Sequence, residues 1–245
     1  MMAYLIQYIR SVLFICLMYL WMAVLGLAGA PFAAVSRDKA FWVAKFYARS
    51  VVWLLGVLCR IRIEVRGEMP EGDIIVVSKH QSFLDVIVHM MLLPRVNFIM
   101  KRELLYAPVL GFYAKRLGVA PVRRGDKAKA MKKMVADVEG GNGEAVQLII
   151  YPQGTRVPPG QHKPYKVGAG VLYEKLGKRC IPAATNAGVF WPKRGFYRKP
   201  GTVVMHYMPA MPAGMTLKQF MRQMEETIET ESNALMREAG FEPKG

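Results

Sequence analysis

The sequence predicts an α/β domain, a mixed central sheet flanked by helices, preceded by a hydrophobic two-helix element that meets a membrane. Three observations carry this expectation. No charged residue occurs between residues 11 and 36, a basic helical pattern rich in aromatics follows to residue 60, and strand-like and helix-like segments then alternate to the end of the chain. The division is 1–60 for a membrane-associated helical hairpin and 61–245 for an α/β domain.

The first run, mostly Leu, Val, Met, Ala and aromatic residues, exceeds the ~20 residues that a bilayer crossing needs. A signal peptide is the competing reading, since Arg10 precedes the run and Ala28-Gly29-Ala30 resembles a cleavage site. The second apolar stretch, which follows at once, speaks against it. In that stretch, 40–60, Phe41, Trp42, Phe46, Trp53 and Leu54 are interleaved with Asp38, Lys45, Arg49, Gly56 and Arg60 at alternating steps of seven and four, which is one helical stripe. Such a helix suits the lipid interface, and a soluble helix packed on the domain is its alternative. Arg60, Arg62 and Arg66 just beyond it favour a cytoplasmic exit for a hairpin that spans or dips into the membrane.

Composition points the same way. The chain is 53% hydrophobic and carries +16, from 34 Lys and Arg against 18 Asp and Glu. A strongly basic chain suits nucleic acid, anionic lipid or a phosphorylated substrate, and the long apolar block favours membrane lipids over nucleic acid. Cys16, Cys59 and Cys180 are isolated, so they support neither a disulfide framework nor a zinc site, and a reducing compartment fits.

After residue 60, strands are expected at 61–65 and 73–78, joined by a turn at Met69-Pro70-Glu71-Gly72. Then come a helix at 82–93, a strand at 96–100, a helix at 109–117 and a strand at 119–122. A polar helix is expected at 126–138, ended by Gly140-Gly141-Asn142-Gly143. A buried strand at 146–151 leads into a Pro- and Gly-rich loop to Val167, a helix from Gly168, strands near Ile181 and at 202–207, and a last helix at 216–239.

Two passages carry chemistry. In Ser78-Lys79-His80-Gln81-Ser82-Phe83-Leu84-Asp85, a strand-to-helix joint would let Asp85 accept from one imidazole nitrogen of His80 and leave the other to take a proton from a hydroxyl. The same spacing, Ser82-x-x-Asp85, fits a capping box in which Asp85 only satisfies backbone donors. In Tyr151-Pro152-Gln153-Gly154-Thr155-Arg156, Gly154 permits close backbone approach and Arg156 offers a fork of donors for phosphate oxygens, although arginine in a turn is often merely solvated.

In this order the passages resemble the glycerolipid acyltransferase family, most closely its lysophosphatidic acid acyltransferases. His80 and Asp85 match its His-x4-Asp motif. Lys101-Arg102-Glu103-Leu104, with Pro108, Gly111, Gly118 and Arg124, is similar to its second region. Pro152, Gly154, Thr155 and Arg156 match its Pro-Glu-Gly-Thr-Arg motif, with Lys166 and Gly168 beyond, and Ile181-Pro182-Ala183 with Asn186 resembles its fourth region. The resemblance covers about residues 60 to 210.

That resemblance implies a membrane enzyme on the inner (cytoplasmic) membrane with its catalytic domain facing the cytoplasm. It would transfer an acyl group from acyl-CoA or acyl carrier protein to the free hydroxyl of lysophosphatidic acid, with His80 as general base and Asp85 orienting it. Arg156, Lys101, Gly154 and Thr155 would bind the acceptor phosphate, supported by Gln153, Arg124 and Lys166. No metal or other cofactor is expected, because a thioester is already activated. Two positions depart from the pattern: Gln153 stands where the family has Glu, and Arg123-Arg124 where it more often has Asp-Arg. Gln153 is expected to tune acceptor binding by removing repulsion against phosphate. His89, four residues after Asp85, could support it or simply pack.

Lys163, Lys166, Lys193, Arg194, Arg198 and Lys199 make the second half basic, suited to a CoA phosphate, an acidic carrier or the membrane surface. Competing readings are another lysolipid acceptor, such as a lyso-ornithine lipid, and a non-catalytic membrane lipid binder. A hydrolase lacks the Gly-x-Ser-x-Gly elbow.

Overall fold

The charge-free run folds as one helix, α1 (Met2–Val35), which Ser36 ends in an extended conformation. The Ser36 hydroxyl then accepts the Lys39 N–H at 3.2 Å and, with Asp38 in the first turn, starts α2 (Arg37–Cys59). At the far end Arg60 takes a left-handed conformation, φ 56°, and its N–H closes on the Gly56 carbonyl, so that β1 can begin at the next residue. The computed structural model describes residues 1–122 and 146–242. The expected helix at 126–138, its glycine-rich end, Arg123 and Arg124 lie outside these residues.

The strands are β1 (Ile61–Arg66), β2 (Ile74–Ser78), β3 (Val96–Lys101), β4 (Ala120–Val122), β5 (Gln147–Ile150), β6 (Cys180–Thr185) and β7 (Gly201–Tyr207). They form one sheet in the order β1-β7-β6-β2-β5-β3-β4. All pairings are parallel except β6 with β7, so the sheet is mixed, as expected. The β2, β5 and β6 side chains are buried throughout, as parallel strands covered on both faces must be. Pro182 sits inside β6 without breaking it. Odd-numbered neighbours carry the β2 ladder, through Ile75 N–H to Arg179 and Lys79 N–H to Ala183. The imide nitrogen of Pro182 therefore faces β7, whose regular pairing begins only at Ala183.

The helices after α2 are α3 (Leu84–Leu92), α4 (Pro108–Leu117), α5 (Gly168–Leu176), the short α6 (Ala187–Phe190) and α7 (Leu217–Glu238), with a 3₁₀ turn at Arg102–Tyr106. The 3₁₀ turn and α6 carry too few residues for a periodic signal, and neither is expected from the sequence. Alternate residues of each strand face opposite layers. Val76, Ile149 and Ile181 pack against Phe14, Met18, Leu55 and Val88 from α1 to α3. Ile75, Val77 and Leu148 meet Leu172 of α5 and Phe220, Met224 and Ile228 of α7. The three α7 side chains, one turn apart and fully buried, contribute about 2 kcal/mol each. Thr216 and Gln219 close a capping box at the start of that helix.

α1 is held by the α/β part along its length. Gln7 donates to the carbonyls of Cys59 (3.1 Å) and Arg198 (2.8 Å), and Ser11 accepts the Arg198 N–H at 3.0 Å. Phe14 meets Trp191 edge-on. Tyr113 donates to the Gly26 carbonyl, while Arg116 donates to those of Ala33 and Ala34. A Cβ at Gly26 would lie 2.3 Å from Val109 Cγ1, so this crossing of α1 and α4 needs glycine. The opposite face is apolar and open: Leu5, Leu20, Leu27 and Phe32 of α1, with Trp42 and Trp53 of α2, are exposed.

Candidate active site

Because β2, β5, β6 and β3 run in one direction, their carboxyl ends share one edge of the sheet, where ligands of α/β folds are bound. The passage after β2 and the passage after β5 therefore meet. The Val157 N–H donates to the His80 carbonyl at 2.8 Å, which ties the two loops together one residue from Arg156.

His80 lies in the β2–α3 loop and Asp85 in the first turn of α3. His80 Nδ1 is 3.0 Å from Asp85 Oδ2. The same oxygen accepts the backbone N–H groups of Gln81 (2.7 Å) and Ser82 (2.8 Å). Orienting the imidazole and capping the helix are thus done together by one carboxylate oxygen, and the two sequence readings of Asp85 do not compete. The box is only half-formed, since Ser82 Oγ accepts from Leu84 N–H. With Nδ1–H held by Asp85, the acceptor lone pair of the imidazole falls on Nε2, which has no partner among the described residues. The Asp85 side chain is fully buried and that of His80 is 15% exposed, so the pair is dry on one side and reachable on the other. Tyr151 stacks on the His80 ring at 3.9 Å between centroids, and burial, then the charge of Asp85, pushes its hydroxyl pKa well up.

Around the Gly154 turn three cations gather. Gly154 has φ 66°, the left-handed region that favours glycine, and a Cβ there would lie 2.6 Å from Lys166 Nζ, so the lysine end sits directly over the turn. Lys193 Nζ is 3.5 Å from Thr155 Oγ1. Arg156 is half-buried and its guanidinium has no partner among the described residues. Lys101, at the end of β3, is exposed and 3.4 Å from Glu103. Gln153 is buried and turned away from the open face of the turn: its Nε2 donates to the Lys163 carbonyl at 3.2 Å and lies 3.5 Å from Glu229 Oε1.

His89 does not bond Asp85. Its Nδ1 is 2.9 Å from Tyr207 Oη and its Nε2 3.1 Å from Ser78 Oγ, which itself donates to the Lys79 carbonyl. That direction fixes the tautomer: Nε2–H donates to Ser78 and Nδ1 accepts from Tyr207, whose hydroxyl pKa burial pushes up. Burial, then the charge of His80, pushes the His89 pKa down to about 3. Between about 6.5 and about 3 the unfolded chain therefore binds a proton that the folded one refuses. The stability carried by neutral His89 is full above that window and lost as pH falls through it. His89→Gln is expected to lower the melting temperature near neutral pH but to flatten its decline between about pH 6.5 and about pH 4; parallel curves for the two proteins would refute this.

Sequence reasoning did not single out Tyr151 as the stacking partner, Lys193 as a member of the cationic turn, or Lys79, Tyr165 and Glu229, which form a largely buried cluster behind it. Lys79 follows β2 directly and carries no local signal, while Glu229 lies 150 residues further on.

Comparison with known proteins gives a consistent result. The family described as Acyltransferase matches residues 60–186. A 1-acyl-sn-glycerol-3-phosphate acyltransferase of Pseudomonas aeruginosa is 32% identical over 85% of this chain and 82% of its own. The human 1-acyl-sn-glycerol-3-phosphate acyltransferase alpha is 32% identical over 80% of this chain and 71% of its own. The crystal structure of the 1-acyl-sn-glycerophosphate (LPA) acyltransferase from Thermotoga maritima superposes with a TM-score of 0.79 over 95% of this chain and 98% of that one, at 18% identity, and so shares the fold.

Proposed function

The chain belongs to the acyltransferase family, and from that premise we propose that it moves a fatty acyl group from acyl-CoA or acyl carrier protein to the free hydroxyl of lysophosphatidic acid, giving phosphatidic acid. The observation that carries this reading is the His80 Nε2 lone pair, held by Asp85 at the same sheet edge as the cationic Gly154 turn. A hydroxyl proton can pass to Nε2 while the hydroxyl oxygen attacks the thioester carbonyl. The imidazolium that forms is balanced by Asp85 at 3.0 Å, and its proton is then available to the departing thiolate. Arg156, with Lys166 and Lys193, would hold the acceptor phosphate, each charge-assisted contact adding ~1.5–3 kcal/mol. The thioester is activated already, so the reaction as proposed draws on positioning and proton transfer and requires no metal.

The proposed acceptor is a lipid, and the open apolar face of α1 and α2 supports docking on a membrane, which the proposal takes to be the inner membrane with the α/β domain on the cytoplasmic side. Contacts to the α/β domain run from Gln7 to Ala34, which favours a hairpin lying in one leaflet: a crossing α1 would draw Arg198 and Arg116 into hydrocarbon.

The test is transfer from labelled acyl-CoA and acyl carrier protein by the purified protein in mixed micelles to lysophosphatidic acid, lysophosphatidylcholine and a lyso-ornithine lipid. Phosphatidic acid is the expected product, with little transfer to acceptors lacking a phosphate monoester. Equal transfer to all three, or none to lysophosphatidic acid, would overturn the proposal.

A further inference from the structure

We propose that Glu229, on α7, is the positioning residue that sets both active-site loops, and that position 153 is neutral because this buried cluster holds a single carboxylate. Lys79, the residue before His80, is 1% exposed and both Glu229 oxygens lie 2.6 Å from its Nζ. A buried ammonium needs such a partner. The same Oε1 accepts the Tyr165 hydroxyl at 3.0 Å and faces the Gln153 amide nitrogen at 3.5 Å.

These contacts reach both halves of the site. Lys79 adjoins His80. Gln153 adjoins Gly154, and Tyr165 adjoins Lys166, whose N–H donates to the Pro152 carbonyl at 3.0 Å. One side chain from the last helix thus sets the base loop and the cationic turn relative to each other. Within the hydrogen-bonded cluster the charge is balanced, one ammonium against one carboxylate; Glu225, one turn back on α7, lies outside it and meets His162 at 2.8 Å. Tyr165 stays protonated as a donor, its pKa pushed up by burial, by Glu229 and, least, by the charge of Glu225.

Glutamate at 153 would replace an amide donor by an acceptor facing two acceptors, Glu229 and the Lys163 carbonyl, and would add a buried negative charge beside the part-buried one of Glu229. The repulsion that Gln153 removes is then with Glu229, across the interior, rather than with the acceptor phosphate. Glu229→Gln alone leaves Lys79 without a counter-charge. The pair Gln153→Glu with Glu229→Gln restores one carboxylate per ammonium.

The inference rests on the acyl-transfer reading for its kinetic arm alone. The experiment measures melting temperature, kcat and acceptor KM for wild type, both single variants and the double variant, with kinetics taken below every melting transition. Both singles are expected to melt lower, with kcat down about tenfold and acceptor KM raised several-fold, and the double variant to exceed both singles in stability and in kcat/KM. A loss of folded protein alone would lower apparent kcat and leave KM in place, and that result would overturn the positioning role. A Gln153→Glu protein indistinguishable from wild type, or a double variant no better than the better single, including one that fails to fold, would overturn the charge balance. If wild type makes no phosphatidic acid, the proposed reaction falls while the order of melting temperatures still decides the charge balance.

Discussion

His80→Ala is expected to leave a folded protein whose transfer rate is lower by about 10²- to 10⁴-fold, the usual worth of a positioned general base. The fold should persist because the structural work of residue 80 is done by its backbone: its carbonyl accepts Val157 N–H, and alanine keeps that bond. What the ring adds to stability is its stacking on Tyr151, worth about 1 kcal/mol, and the Nδ1–H bond to the buried Asp85 carboxylate, worth about 1.5–3 kcal/mol. Acceptor KM should move little, since Arg156, Lys166 and Lys193 are untouched. The measurement is kcat and acceptor KM beside the melting temperature of the same preparation. Activity within tenfold of wild type would remove His80 from the role of base.

Asp85→Asn separates the two duties of that carboxylate. One oxygen collects three N–H groups, from His80, Gln81 and Ser82, and an asparagine carbonyl oxygen in the same place can accept all three. The amide nitrogen then takes the position of Oδ1, which is buried without a partner, and leaves a donor unsatisfied at ~1–3 kcal/mol. Only the charge that balances the imidazolium is gone. Transfer is therefore expected to fall by about 10²- to 10³-fold, far more than the loss of folded protein accounts for. If kcat instead tracks the folded fraction across temperature, Asp85 is a helix cap and nothing more. The same logic separates this variant from His89→Gln, whose effect should fall on stability and its pH dependence, because both nitrogens of that ring are spent inside the core.

How much of this was legible in the sequence follows from distance along the chain. His80 and Asp85 are five residues apart across a strand-to-helix joint, and local backbone geometry alone brings them together. The β2 and β5 strands and the outward aromatics of α2 are likewise local, set by periodicities of two and 3.6 residues. Gln153 shows where local reading stopped. Its neighbours in sequence suggested a face toward phosphate, whereas its side chain turns inward to Lys163 and Glu229.

The sequence by itself determined the α/β class and the apolar two-helix start, and singled out His80, Asp85 and Arg156 as candidates for the chemistry, because each rests on the pattern of a few adjacent positions. Only the tertiary structure decided that β2 lies beside β5, so that His80 and the Gly154 turn share one edge. It alone laid α1 along the α/β domain, and it alone brought Glu229 to Lys79. Those contacts join residues from tens to nearly two hundred positions apart, and their pairing is selected by the burial of whole faces, a property of the assembled layers that no short stretch of chain contains.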